Sequence, residues 1–193
     1  HAPDWTTEAR LAYTLRCFRI LAQLLPEGVE GGISTSPLTY RHWFVSDLEK
    51  NEAFEKATTH LIAVVVELVR LQQETGKFLH LDIEPEPDGL LENSEELIRY
   101  FKEWLIPMGK TSLAKQLGIT AKDAEKLIKA HLQVCYDVCH FAIGYEKPKE
   151  AFKKLKQAGI GIGKIQLSAA LKLLIPESPF ERFSIGKRLG EFV

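Results

Sequence analysis

The chain has 193 residues, with 45% hydrophobic and 26% charged residues and a formal net charge of −1. That balance excludes a disordered chain and leaves no basic excess for nucleic-acid phosphates. The longest apolar run, Leu61–Leu71, is broken by Glu67 and Arg70, so no membrane insertion is expected.

In chain order, Asp4 or Thr6 caps a first helix with Leu11, Leu15, Phe18, Leu21 and Leu25 on its apolar face, stopped by Pro26 and Gly28. Gly31–Pro37 reads as a short strand running into a loop. A long helix follows over Asp47–Thr75, striped by Phe54, Ala57, Leu61, Val64, Val65 and Leu68, with Gly76 closing it. Phe78–Glu84 is the second strand, which Pro85 and Pro87 prevent from continuing. Asn93 and Glu96 form a capping-box pair for a helix bearing Leu97, Phe101, Trp104 and Leu105, ended by Pro107. A helical insertion at about 111–130 comes next, with short helices at Ser112–Leu117 and Ala121–Lys129. It imitates a DNA-reading helix-turn-helix, but Asp123 and Glu125 offset Lys122 and Lys126 and it runs straight into a strand. Leu132–Asp137 is the third strand, opening into a loop. Pro148 starts a helix to Gly159, Ile162–Ser168 is the fourth strand, and a last helix is expected over Phe180–Leu189.

Alternating strands and helices predict an α/β fold with parallel strands and right-handed crossovers, as a single domain over 1–193. Leu79, Leu81 and Ile83 alternate with His80, Asp82 and Glu84, and Leu132, Val134 and Tyr136 with Gln133, Cys135 and Asp137. Ile165 and Leu167 alternate with Lys164, Gln166 and Ser168. One face is apolar and suited to helices; the other is polar and ends each time in a potential ligand. A (β/α) barrel with a hydrated interior fits this better than an open sheet buried on both faces. A complete barrel needs about 250 residues, so the four visible strands correspond to an incomplete one. The open sheet edges call for pairing with another copy, a homo-oligomer, or for further chain. The start at His1 rather than methionine reads as trimming or processing. Without a disulfide-scaffold spacing, Cys17, Cys135 and Cys139 are expected to be reduced, in a cytoplasmic protein.

The chemistry concentrates at the strand ends. Asp137 and His140, a carboxylate and an imidazole three residues apart, suit Zn²⁺, Mn²⁺ or Fe²⁺, or proton transfer. The plainer alternative is an N-cap aspartate with a half-buried histidine bonded to a carbonyl. Glu84 continues the polar face of its strand, aimed by the prolines of Glu84-Pro85-Glu86-Pro87; alternatively the segment is a solvated acidic loop. Gln166 lies level with Asp137, and it and Lys164 are suited either to a substrate oxygen or to a hydrogen bond across the barrel. Cys135 and Cys139 flank Asp137 without the spacing of a thiolate metal site, and two buried thiols are expected.

Four segments together carry a resemblance: Ile-Ser-Thr-Ser-Pro-Leu at 33–38, Leu-Asp-Ile-Glu-Pro-Glu-Pro at 81–87, Cys-Tyr-Asp-Val-Cys-His-Phe-Ala at 135–142, and Gly-Lys-Ile-Gln-Leu-Ser-Ala-Ala-Leu at 163–171. With Ala2-Pro3-Asp4-Trp5 and Tyr13-Thr14 near the start, their order resembles the EboE family of metabolite-traffic proteins, within the xylose isomerase-like TIM barrels. The resemblance implies that Glu84 is a metal-bridging and catalytic glutamate and Asp137 a metal aspartate. It implies that His140 is a metal- or substrate-binding catalytic histidine. Gln166 takes the place where sugar epimerases carry a metal-binding histidine, a departure from the pattern. Ser34, Glu86 and Lys164 are assigned to the substrate. The implied cofactor is a divalent cation (Mn²⁺, Zn²⁺, Mg²⁺ or Fe²⁺) and the implied partner a small polar metabolite in a biosynthesis or export pathway. The family is longer at both ends, so its opening strands and the closing strand with the last metal glutamate are not in this chain. Three functions stand in order: metabolite handling of the EboE kind, with or without turnover; a sugar isomerase or epimerase using a divalent cation; and, last, an endonuclease IV-type nuclease, which the near-neutral charge disfavours.

Overall fold

The structure is a computed structural model that describes residues 2–171 and the single residues 177, 178, 182, 184 and 187. The helix expected over Phe180–Leu189 lies outside the continuous described stretch. Four parallel strands, β1 (Gly31–Thr35), β2 (Leu79–Ile83), β3 (Leu132–Asp137) and β4 (Ile162–Gln166), pair in chain order as one curled sheet, a half-barrel. The curl is tight enough for Lys164 Nζ of β4 to donate to Ser34 Oγ of β1 at 3.0 Å. Trp5, fully buried, ties the preceding segment to β1 by donating its indole N–H to Thr35 Oγ1 at 2.9 Å.

Helix α1 (Glu8–Leu24) is capped by Thr7, whose side chain accepts from the Arg10 N–H. Helix α2 (Asp47–Thr75) has both ends written in sequence: a Ser46–Glu49 capping box at the start, and Gly76 with φ 72° at the stop. Its buried stripe, Leu61, Val64, Val65 and Leu68, lies in one core with the outward-pointing Leu79, Leu81 and Ile83 of β2 and Leu132 and Val134 of β3. Each such side chain contributes about 1.5–3 kcal/mol by leaving water.

Between β2 and β3 the structure departs from the sequence expectation. Helix α3 (Ser94–Tyr100) continues through a π turn, Phe101–Leu105, into α4 (Ile106–Leu117), and Pro107 sits in the first turn of α4 instead of ending a helix. The missing proline N–H falls just after the π turn, where the Ile106 N–H bonds Phe101 O and the ladder is changing its spacing, so the break it makes is absorbed there. The capping box at Asn93 is half-formed. Asn93 caps the Glu96 N–H, while the Glu96 carboxylate accepts from the Glu92 N–H and from Arg41. Helix α4 packs on α5 (Ala121–His131) through Gly109, where an added Cβ would meet Ile128 at 2.5 Å. Leu113 and Ile128 are fully buried, so this segment is part of the core.

After β3 the expected loop is instead a short helix, α6 (Val138–Ile143), capped by Asp137. Six residues are too few to show helical periodicity in sequence. Helix α7 (Pro148–Ala158) follows, ended by Gly159 at φ 69°. The apolar face of β4 is less covered than the alternation implied, with Ile165 52% and Leu167 88% exposed. Among the described residues no helix is long and apolar enough to cross a membrane.

Candidate functional site

Parallel strands of similar length bring their C-terminal ends to one rim, and the register fixes which side chains meet there. Cys135 pairs with Lys164 and Asp137 with Gln166 across β3 and β4, while Glu84 follows the last residue of β2, its N–H bonded to Thr35 O at 2.9 Å. Glu84, Asp137, His140 and Gln166 therefore converge as the sequence predicted.

Asp137 is the fixed point. Its Oδ1 accepts from the Cys139 N–H at 3.0 Å and from the Ser168 hydroxyl, and its Oδ2 from the Gln166 amide. Burial acts to raise its pKa, but the Ser168 hydroxyl, the Cys139 thiol and N–H and the nearby His140 outweigh it and hold the carboxyl at about 2. The first turn of α6 then carries His140 over the rim. His140 Nδ1 lies 3.3 Å from Glu84 Oε1 and 4.0 Å from Asp137 Oδ2. That nitrogen is shut off from solvent and makes no aligned hydrogen bond among the described residues.

Glu84 and Glu86 behave differently from Asp137. Burial raises the pKa of both, opposed at Glu84 by a hydrogen bond from Cys135 and by His140, and at Glu86 by His140. Cys135 is pushed up to about 12 by burial and by the Glu84 carboxylate. The rim thus assembles three carboxyl groups around one imidazole, an excess of negative charge that suits a cation. His140 Nδ1 is the nitrogen that a Glu84 oxygen at 3.3 Å and an Asp137 oxygen at 4.0 Å share, and it makes no aligned hydrogen bond to either. Among the described residues, one group of histidine, cysteine and acidic side chains, Asp137, Cys139 and His140, has its ligand atoms within 4.8 Å of one another.

The other predicted residues lie around this group. Gln166 is joined to it through Asp137, its amide donating to Oδ2. Lys164 and Ser34 meet each other. Glu86 is half-buried and senses His140 and Asp137 electrostatically. Cys139 is only partly buried, whereas the sequence reading buried both thiols of this segment. Ser168 was read only as one step in an alternating strand, and that alternation, Lys164–Gln166–Ser168, was the signal for it.

Inside the half-barrel lies a second polar group. His80 Nδ1 is 2.7 Å from Asp82 Oδ1, with side chains 5% and 1% exposed. The interior, expected to be hydrated, is closed to bulk solvent at this level, because the curled sheet brings Gly32 of β1 and Gly163 of β4 against the pair. A Cβ on Gly32 or Gly163 would collide with both His80 and Asp82. Burial raises the Asp82 pKa against the pull of His80 and of Lys164. In sequence His80 and Asp82 are indistinguishable from the candidate site residues above them.

A cleft of about 760 Å³ lies elsewhere, between Arg41, Phe54, Arg99 and Trp104, and contains none of the predicted residues. Convergence of donor atoms is a stronger sign of chemistry than volume, so the rim remains the candidate site. No family model matches this chain, and comparison with curated proteins finds no match.

Proposed function

We propose that this chain is part of a xylose isomerase-like (β/α) barrel of the EboE kind, handling a small polar metabolite at the strand C-terminal rim with a divalent cation held by Glu84, Asp137 and His140. The observation that carries the reading is the enclosed His140 Nδ1, without an aligned hydrogen bond and flanked by Glu84 Oε1 at 3.3 Å and Asp137 Oδ2 at 4.0 Å. A divalent cation bound there would polarise a hydroxyl or carbonyl oxygen of the metabolite.

The chain's own residues have separable tasks. Asp137, ionised and held by donors from β4 and α6, is the stationary anion. Glu84, with its pKa raised by burial, is the carboxyl suited to taking and returning a proton, while His140 Nδ1 beside it is kept for the cation. Lys164 and Ser34, hydrogen-bonded to each other across the half-barrel, offer an ammonium and a hydroxyl to substrate oxygens. This division of labour suits an isomerase or epimerase acting on a sugar or polyol.

A second reading, metabolite binding without turnover, draws on Gln166. A neutral amide donating to Asp137 Oδ2 uses a lone pair that a fully ligating aspartate would give to the ion. Elemental analysis and cation titration of the purified protein test the proposal. Near-stoichiometric Mn, Zn or Fe, lost in Asp137→Ala and in His140→Ala, is the expected result. Unchanged cation content in both folded variants would overturn it. Metal-dependent interconversion of sugar epimers would select the enzyme over the binding protein.

A further inference from the structure

We infer that Cys139 supplies a thiolate to the rim cation, which makes the site a zinc-class centre instead of a magnesium or manganese one. This inference rests on the reading of the rim as a cation site and names the metal class and one further ligand. The ligand atoms of Asp137, Cys139 and His140 lie within 4.8 Å of one another, on a single strand-to-helix turn. A tetrahedral zinc with bonds of about 2.0–2.3 Å sets its ligand atoms roughly 3.3–3.8 Å apart, so closure requires a contraction of about 1 Å. The turn is already anchored for this. The Cys139 N–H donates to Asp137 Oδ1 at 3.0 Å and to Ser168 Oγ at 2.8 Å, and its thiol also bonds Asp137.

The second, independent observation is the enclosed His140 Nδ1 with no aligned partner, on the next residue and 4.0 Å from Asp137 Oδ2. Gln166, the residue level with Asp137 on β4, donates its amide N–H to that carboxylate and so holds Asp137 in place from β4. Three local ligands of oxygen, sulfur and nitrogen type remain, with Glu84 facing them from β2 as the exchangeable fourth. Thiolate is a soft ligand that favours Zn²⁺ or Fe²⁺ over Mg²⁺, Ca²⁺ or Mn²⁺. Binding converts the thiol to a thiolate–metal bond, and the proton leaves to solvent, one per ion bound.

Cobalt(II) substitution of the full chain reads the inference directly. A near-ultraviolet thiolate-to-cobalt charge-transfer band should appear, vanish in Cys139→Ser, and persist in Cys17→Ser and Cys135→Ser. Zinc affinity should fall by at least roughly tenfold in Cys139→Ser, the least expected for losing a direct ligand. In the unmodified chain, which needs no variant to fold, zinc should shield Cys139 from alkylation. Cobalt binding without the band, or zinc that leaves Cys139 freely alkylated, would overturn the inference while leaving an oxygen–nitrogen cation site standing. Failure of every cation to bind would instead bring down the proposed function, and the inference with it.

Discussion

The rim and the interior of this half-barrel are built from the same alternation of polar residues, yet they are chemically opposite. Inside, one imidazole and one carboxylate, His80 and Asp82, close on each other at 2.7 Å and are walled in by Gly32 and Gly163. At the rim, Glu84, Glu86 and Asp137 share one imidazole whose Nδ1 is left without an aligned bond. The interior pair is one imidazole to one carboxylate and enclosed, although Asp82 Oδ2 is itself buried without a partner; the rim group sets three carboxyl groups on one imidazole and is less deeply buried. Depth and charge balance, not residue type, separate a structural pair from a ligand-ready one.

The largest expected effect tests whether the interior pair supports the fold. His80→Ala leaves a buried carboxylate without its partner and should cost about 3 kcal/mol in urea unfolding, with cation affinity unchanged. The mirror experiment, His140→Ala, should cost under about 1 kcal/mol and lower cation affinity at least roughly tenfold. If both variants lose the same property, the distinction collapses. Next in size is Gly163→Ala, which sets a methyl group against Asp82 and His80 and should destabilise by about 1–3 kcal/mol in the same assay.

Acid titration of the cation-free protein sharpens the contrast further, because the two aspartates carry opposite signs. The Asp137 pKa is lowered in the folded state to about 2, so its contribution is present above the unfolded value and lost as pH falls from about 4 through 2. Roughly 1–2 kcal/mol of stability should disappear across that window, and Asp137→Asn should flatten it. The Asp82 pKa is raised, so its contribution is present below the unfolded value and declines as pH rises through the folded one. Asp82→Asn should therefore steepen the acid loss that remains. The smallest effect is kinetic. At pH 8 without metal, Cys139 should alkylate readily and Cys135 hardly at all, since Cys135 is fully buried and its thiol is pushed up to about 12. Equal labelling by mass mapping would contradict the burial pattern.

How much of this was legible in sequence depends on whether the signal was local. The ends of α2 were, because Ser46, Glu49 and Gly76 act within their own turns. Convergence of Glu84, Asp137 and Gln166 was also legible, because parallel strands and period-two alternation fix it without knowledge of the helices. Pro107 misled, because its effect depends on whether a helix turn begins or continues at that point, which the π turn decides. Helix α6, too short to show periodicity, was legible only through the alternative reading of Asp137 as an N-cap with a half-buried His140, and the structure shows that cap and that burial. The closure of His80 on Asp82 was invisible because it depends on how far the sheet curls, which Gly32 and Gly163 permit from other strands. The larger barrel to which the four-strand sheet is assigned remains part of the proposal.

Asp137 ends β3 and begins α6 with the same carboxylate that faces His140. A ligand that draws on that group also pulls at the backbone amide it secures, so site occupancy and the fraying of the next six residues are mechanically joined. Deuterium uptake across 138–143 should therefore register an occupant, even one that produces no colour and undergoes no reaction.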